Sequence, residues 1–159
     1  MKTIIIGLGN PILGDDGVGW RIVEEISKQL PKEAEAGIEC LSVGGIGLME
    51  HLIGYDRAII IDAYIAEMED IGSILIQKLE EMPDYSAFHI TSAHDTSLQN
   101  AIELGRHMGA QLPVEVIVIG IAIHRISEFG EELSPQVAEC VPQAAHIALN
   151  LLKENVTNT

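Results

Sequence analysis

The sequence predicts a three-layer α/β domain, in which a mainly parallel, twisted sheet of about five strands has helices on both faces. Two observations lead to this fold class. Short apolar runs, typical of strands buried on both faces, alternate with amphipathic segments from one end of the chain to the other. The chain has 159 residues, is 47% hydrophobic and only 4% aromatic, and so has the length for one domain with an aliphatic core.

Several segments have the composition of strands and are closed by turn residues or by a change of polarity. These segments are residues 2–8, 38–43, 57–62, 72–79 and 114–123. The last one is very apolar, so we expect it to occupy a central position in the sheet. The segment at 72–79 continues into Glu80 and Glu81, which is typical of an edge strand.

Helices are predicted where apolar residues recur three or four positions apart. Val18, Ile22 and Ile26 form the first such stripe, which ends before Pro31. The other stripes span residues 46–53, 98–108 and 137–151.

The last helix is predicted to begin at Ser134-Pro135, with Ser as the N-cap and Pro at the first helical position. Pro142 is expected to kink it. Residues 83–93 are predicted to form a loop. We expect the domain to span residues 1–154 and to leave 155–159 as a frayed tail.

The charge of the chain limits its partners. Nine basic residues against 24 acidic ones give a formal net charge of −15. Such a field repels phosphate backbones and anionic lipids, so neither nucleic acid nor a membrane is expected as a partner. No signal peptide and no apolar run of roughly 18 residues is visible, which predicts a cytoplasmic protein. Cys40 and Cys140 lack ligand spacing and are interpreted as buried thiols in a reducing compartment.

Three reactive side chains are predicted beyond the carboxyl ends of the strands, where parallel sheets bind their ligands. Asp16 follows the first strand, Asp62 ends the third strand, and His94 precedes the third helix. Two carboxylates and one imidazole are an incomplete ligand set for a divalent transition metal, with positions left for water or a substrate group. This combination is typical of a site that receives a metal rather than one that stores it for structure.

Each of these residues also has a structural interpretation. An Asp directly before a helix is often an N-cap, so Asp15 or Asp16 is expected to cap while the other points elsewhere. His94 alone is typical of a surface loop, and Asp95 could cap the following helix. Asp62, next to a buried strand, requires water, a partner or a metal. An Asp pair that shares one proton, as in an aspartyl protease, is the alternative chemistry, but it leaves His94 without a role.

Other motifs are incomplete or weak. The dinucleotide loop would need a third glycine where Ile12 stands, and the chain contains neither a P-loop nor a Gly-x-Ser-x-Gly turn. His124-Arg125, after the last strand, is a weaker candidate that could bind a peptide carboxylate. The remaining histidines lack ligand spacing and are interpreted as ordinary polar residues. They are His51, His89, His107 and His146.

Four blocks resemble the hydrogenase maturation endopeptidases, in the family's order and over nearly the whole chain. The blocks are Gly7-Leu8-Gly9-Asn10-Pro11 through Gly14-Asp15-Asp16-Gly17-Val18-Gly19; Gly47-Leu48 through Gly54-Tyr55-Asp56-Arg57 to Ile61-Asp62-Ala63; His94-Asp95 with Leu98; and Gly120-Ile121, Phe129-Gly130 and Leu133-Ser134-Pro135 with Val137.

The resemblance implies a nickel-dependent endopeptidase that removes a C-terminal extension from the precursor of a NiFe-hydrogenase large subunit after nickel insertion. By motif position, Asp16, Asp62 and His94 would bind that nickel and serve in catalysis. The nickel would arrive with the precursor, so the resting enzyme is expected to be metal-free. No cofactor-binding residues beyond these are expected.

Two alternatives remain open at the level of sequence. Peptidyl-tRNA hydrolases also begin with Gly-Leu-Gly-Asn-Pro, but the Thr-Arg-His-Asn segment they require is absent and the charge disfavours tRNA. A non-catalytic nickel-sensing chaperone would use the same three ligands and bind without cleavage. Ala122-Ile123 stands where the family often has a Gln-Pro or Glu-Pro pair, so the docking of the partner on this loop is not predicted.

Overall fold

The computed structural model describes residues 1–85, 96–126 and 128–154, in which strands alternate with helices except at one pair of consecutive strands. In chain order the elements are β1 (Thr3–Leu8), α1 (Val18–Gln29), β2 (Ala36–Leu41), α2 (Gly45–Leu52), β3 (Arg57–Ile65), β4 (Ile74–Lys78), α3 (Leu98–His107), β5 (Glu115–Ile123) and α4 (Pro135–Glu154). Two 3-10 turns, Gly14–Gly17 and Leu79–Glu81, follow β1 and β4.

The strands form one five-stranded sheet in the order β2-β1-β3-β5-β4. The pairs β1–β2, β1–β3 and β3–β5 are parallel, and β4 pairs antiparallel with β5 at the edge. The α/β fold class, the mainly parallel sheet and the edge position of the fourth strand are therefore confirmed.

Apolar side chains are buried on both faces of this sheet. On one face, Ile4, Ile6 and Ile60 pack with residues of α2 and α3. On the other face, Ile5 and Ile59 pack with residues of α1 and α4. Each fully buried aliphatic side chain contributes roughly 1.5–3 kcal/mol to folding. The core is aliphatic and has the three layers that the sequence predicts.

The start of α1 lies unusually close to the ends of two strands. A Cβ added to Gly19 would lie 2.5 Å from the carbonyl oxygens of Leu8 and Ile61. Only glycine permits this approach of a helix to a sheet. As a result, the turn Gly14–Gly17, which precedes α1, is held directly beside the carboxyl ends of β1 and β3.

The observed bounds differ from the predicted ones mainly in β3. The strand does not end at Asp62 but continues to Ile65, because residues 63–65 remain paired with residues 121–123 of β5. β4 is shorter than predicted, since Leu79 begins a 3-10 turn.

Two predictions fall partly or wholly outside the described residues. Of the predicted loop 83–93, residues 83–85 are described, and the predicted tail 155–159 is not.

α4 continues through Pro142 as one helix. None of the helices in the described part of the chain is long and apolar enough to cross a membrane.

Candidate active site

Asp16 is buried in the turn after β1, where its own loop holds the carboxylate. Its side chain is only 4% exposed, and its Oδ2 accepts a hydrogen bond from the backbone N–H of Asn10 at 2.8 Å. Gly9 has a φ of +142°, and a Cβ there would lie 2.0 Å from the carbonyl oxygen of Asp16. A glycine at this position therefore allows the loop to fold back over Asp16.

The Asp15 carboxylate binds Ser134, which lies far from it in the sequence. Its Oδ1 accepts from the N–H of Ser134 at 2.6 Å, and its Oδ2 accepts from the Ser134 hydroxyl at 2.8 Å. The N-cap residue of α1 is Gly17, without a side-chain cap. The predicted capping of α1 by Asp15 or Asp16 is therefore wrong, because both carboxylates bind donors outside that helix.

The first and fourth sequence blocks are joined here by backbone hydrogen bonds as well. Gly14 N–H donates to the carbonyl oxygen of Gly130 at 2.7 Å, and Gly130 N–H donates to that of Ile12 at 2.8 Å. The loop that carries Asp16 is thus fixed to the segment that leads into α4.

Asp62 lies inside β3, on the sheet face covered by α2 and α3. Its side chain is 2% exposed and accepts a hydrogen bond from the Tyr85 hydroxyl at Oδ2, at 2.6 Å. The residue opposite on β5 is Gly120, which has no side chain to fill the space beside the carboxylate. Asp62 is therefore a buried acid that directly follows the apolar run of residues 58–61 in β3, a position that favours a functional role.

Tyr85 contacts the candidate site residue Asp62, a contact that the sequence did not predict. It is buried, its carbonyl oxygen accepts from Leu98 N–H at 2.8 Å, and its own N–H donates to Gln99 Oε1 at 2.8 Å. Burial, followed by the charge of Asp62 and the hydrogen bond to it, raises the pKa of Tyr85 well above its usual range. The phenol therefore stays protonated and donates to Asp62. Its one sequence signal is an aromatic residue in a polar loop segment.

His94 and Asp95 lie outside the described residues, so the structure brings together two of the three predicted side chains. Within the described part of the chain, no group of three His, Cys, Asp or Glu side chains is arranged to hold a metal ion.

Two adjoining cavities open at this edge of the sheet. The first, of about 390 Å³, includes Asp16 in its lining, and the second, of about 230 Å³, includes Asp62. Ala63 and Tyr64 line both cavities. Asp16 and Asp62 therefore face neighbouring parts of one recessed surface.

Of the weaker candidates, Arg125 reaches the site. Arg125 and His124 are both exposed. Arg125 lines the same cavity as Asp16, and His124 does not. A guanidinium there can bind a carbonyl or carboxylate oxygen of a bound peptide. A larger cavity of about 460 Å³ lies at the opposite edge, between α3 and the start of β5. It contains neither aspartate, so size does not identify the site.

The other described histidines have local surface partners. His51 lies 2.6 Å from Glu39, His107 lies 2.9 Å from the Glu103 carbonyl, and His146 contacts the next turn of α4. His89 lies outside the described residues. Both cysteines are free thiols, Cys140 buried and Cys40 half-buried.

Comparison with known proteins decides the family. The model of the hydrogenase maturation protease family HycI matches residues 21–151. The chain belongs to this family. Its members are endopeptidases, so the protein is a hydrolase that acts on a peptide bond. The family match leaves the peptidyl-tRNA hydrolase alternative without support.

Individual relatives resemble the chain over most of its length. The hydrogenase expression/formation protein HoxM of Azotobacter vinelandii is 29% identical over 155 residues, which cover 96% of this chain and 73% of the relative. The hydrogenase 2 maturation protease of Escherichia coli is 28% identical over 98% of this chain and 93% of its own. The solved structure of the hydrogenase maturating endopeptidase HybD from Escherichia coli superposes with a TM-score of 0.75 at 26% identity, over 98% and 94% of the two chains.

Proposed function

We propose that this hydrogenase maturation protease removes the C-terminal extension of a NiFe-hydrogenase large-subunit precursor, and that Asp16, Asp62 and His94 bind the nickel that the precursor carries. The observation that supports this most is the pair of buried carboxylates at one edge of the sheet, each in the lining of an adjoining cavity. The family supports the type of partner, because its members act on hydrogenase large-subunit precursors.

The chemistry of the two aspartates fits a nickel ion that is only partly bound by the enzyme. A carboxylate oxygen can accept more than one contact, so a hydrogen bond from Asn10 to Asp16 or from Tyr85 to Asp62 does not by itself prevent binding of a metal ion. Carboxylate and imidazole are ligands that first-row divalent metals accept, and an incomplete set leaves positions for the precursor's own ligands. His94 is included as a ligand because of its position in the third sequence block.

The residues of the chain would bind and orient the precursor. The Asn10 N–H fixes the carboxylate of Asp16, and the Tyr85 hydroxyl fixes that of Asp62, so both are held before the precursor arrives. Arg125, on the wall of the Asp16 cavity, would hold a backbone oxygen of the precursor near the cut. A bound nickel would supply Lewis-acid polarisation of the scissile carbonyl.

The test is an intact-mass measurement of purified precursor, prepared with and without nickel and incubated with the protein. We expect the nickel-loaded precursor to lose the mass of its C-terminal extension and the nickel-free precursor to remain whole. Equal cleavage of both would contradict the nickel requirement and favour an Asp pair that shares a proton.

A nickel-sensing chaperone is distinguished in the same experiment. Such a protein would form a complex with the nickel-loaded precursor, visible by size-exclusion chromatography, without any loss of mass. In addition, His94→Gln is expected to lower cleavage of the nickel-loaded precursor more than about 100-fold if the imidazole is a ligand. Wild-type cleavage by this variant would remove His94 from the site.

A further inference from the structure

The smaller cavity beside Asp62 has the size and composition of a pocket for one side chain. Its volume is about 230 Å³, below the roughly 300–1,000 Å³ of pockets that enclose whole small molecules. Its walls are largely apolar. They include Tyr64, Leu75, Met82, Pro83 and Val118. The described lining contains no Lys, Arg or His, so nothing in it would bind an anion.

The register of the sheet explains why the pocket lies next to the site. Asp62 on β3 is opposite Gly120 on β5, and Gly120 is opposite Leu75 on β4. Residues in such a row lie on the same face of a sheet, about 5 Å from one to the next. The pocket therefore runs from the buried carboxylate across a glycine to an aliphatic side chain at the sheet edge.

Gly120 keeps this space open. A Cβ at position 120 would lie 3.0 Å from Cδ1 and 3.2 Å from Cε1 of the Tyr64 ring. A larger residue would therefore push against Tyr64, which also lines the cavity of Asp16. Leu75, at the far end, is 42% exposed, so its side chain has room for a partner.

The charges around the pocket disfavour an acidic occupant. The Glu69 carboxylate is in the lining, and it is fixed by hydrogen bonds from the N–H groups of Glu67 and Met68 at 3.1 and 3.2 Å. With Asp62, two carboxylates border the space. The apolar walls in turn penalise the desolvation of any charged side chain.

We propose that the pocket formed by Tyr64, Leu75 and Gly120 is a specificity subsite, which accepts one uncharged aliphatic side chain of the precursor from a residue adjacent to the cut peptide bond. This inference rests on the proposed function. A precursor segment that lies along the Asp16 cavity meets Tyr64, the wall shared with the pocket, and its next side chain can enter beside Asp62.

The experiment measures kcat/KM on nickel-loaded precursors in which each of the two residues flanking the cut is replaced in turn by Ala, Val, Leu, Phe, Lys or Asp. The nickel content of every precursor is measured first. At one of the two positions, we expect Leu or Val to exceed Ala about 10-fold and Asp by more, since a methylene in an apolar pocket contributes about 10-fold or more to discrimination.

Two variants of the same strand locate the pocket. Leu75→Ala enlarges it and is expected to shift the preferred residue at that position towards Phe, with about a 10-fold change in the Phe-to-Val ratio. Ile76→Ala is the matched control, because Ile76 is the neighbouring aliphatic residue of β4, is 47% exposed, and is opposite Ile119 on the other face. It should leave the profile unchanged.

The outcomes separate this inference from the function on which it rests. Cleavage of the precursors with a flat profile, with a preference for Lys, or with equal profiles for Leu75→Ala and Ile76→Ala overturns the subsite and leaves the protease assignment intact. Absence of cleavage of every nickel-loaded precursor by the wild-type protein overturns the proposed function itself. Unfolding curves of both variants confirm that the protein measured is folded.

Discussion

The two ends of the parallel strands bury charge in different ways. At the amino ends of the strands, called here the amino edge, the Arg57 guanidinium is buried against Glu115 at 2.7 Å and also donates to the carbonyl oxygen of Leu151. At the carboxyl ends, called here the carboxyl edge, Asp16 accepts a hydrogen bond from a backbone N–H and Asp62 accepts one from a phenol. The Arg57–Glu115 pair neutralises the charge that it buries, whereas Asp16 and Asp62 each line a cavity that a ligand can enter. We therefore expect the amino edge to contribute to stability and the carboxyl edge to binding.

α4 connects the two edges, which makes the comparison testable. Its first turn is bound to Asp15 through Ser134, and its last turn is bound to Arg57 through Leu151. Changes at one edge should alter activity and changes at the other should alter stability.

The largest expected effect follows Asp62→Asn. The amide keeps the shape and can still accept from Tyr85, so stability should change by less than about 1 kcal/mol. Loss of the charge should lower cleavage of a nickel-loaded precursor by more than about 100-fold. The matched control is Asp56→Asn at the opposite edge, where the carboxylate accepts from the Lys2 N–H at 2.7 Å. If Asp62→Asn cleaved like Asp56→Asn, the contrast between the edges would be lost.

The next effect concerns the amino edge. Arg57→Met leaves Glu115 and the Leu151 carbonyl without their buried partner, and Glu115 is still about one-third exposed. We expect a loss of about 2–3 kcal/mol in the free energy of unfolding, below the full cost of breaking a wholly buried pair, with cleavage unchanged at low temperature. Urea denaturation of the wild type and of Arg57→Met measures the difference in the free energy of unfolding.

Lys78→Met is the control for Arg57→Met. It removes the second cation near Glu115, at 3.5 Å, from a side chain that is half exposed. Because exposed pairs contribute at most about 1 kcal/mol, the loss should be small. Equal losses in the two variants would show that burial of Arg57 adds nothing to stability.

A smaller effect is expected from Asp15→Ala, which tests whether every carboxylate at the carboxyl edge is functional. Removal of the bonds to Ser134 should cost about 1–2 kcal/mol by loosening the first turn of α4. Ser134→Ala, which keeps the backbone N–H donor, should cost less. Wild-type stability of Asp15→Ala together with a loss of cleavage would make Asp15 a site residue and not an anchor.

These contrasts also show what the sequence could and could not predict. Helices, strands and the sheet edge of Asp16 and Asp62 followed from apolar periodicity and from the rule that ligands bind at carboxyl ends of strands. The predicted end of β3 is wrong. Asp62 and Tyr64 interrupt the apolar run, although β3 continues to pair with β5 as far as Ile65. A local sequence pattern contains no information about pairing with a strand that comes more than fifty residues later.

The partners of the buried polar groups were the part that sequence could not supply. Asp15 binds a residue 119 positions away, and Tyr85 binds Asp62 across 23 positions. An Asp before a helix is commonly interpreted as an N-cap, which is a local role. A Tyr in a polar loop has no sequence pattern that indicates its role. Only the fold shows that Asp15 is bound to Ser134 and that Tyr85 holds the buried carboxylate of Asp62.

The smallest expected effect concerns Cys140 on α4, between the two edges. Burial is the largest cause that raises the pKa of the Cys140 thiol to about 11 from its ordinary value of 9.0, a backbone hydrogen bond lowers it, and the charge of Asp15 raises it. The folded protein thus holds the thiol neutral, and the unfolded chain ionises first. Stability from this group is full below about pH 9 and is lost as the pH rises through about 11.

Urea unfolding of the wild type and of Cys140→Ala between pH 8 and about 11 measures this loss. We expect the stability deficit of the variant to shrink by about 1 kcal/mol over that interval, because wild-type stability falls while the variant lacks the thiol. Cys40→Ala is the comparison variant. Burial, followed by the charge of Glu24, also raises the pKa of the half-buried Cys40 thiol, so its deficit should shrink in the same direction but by less. A deficit for Cys140→Ala that stays constant with pH would mean that the α4 thiol ionises equally in both states. It would also mean that α4 is packed less tightly than its hydrogen bonds with Asp15 and Arg57 imply.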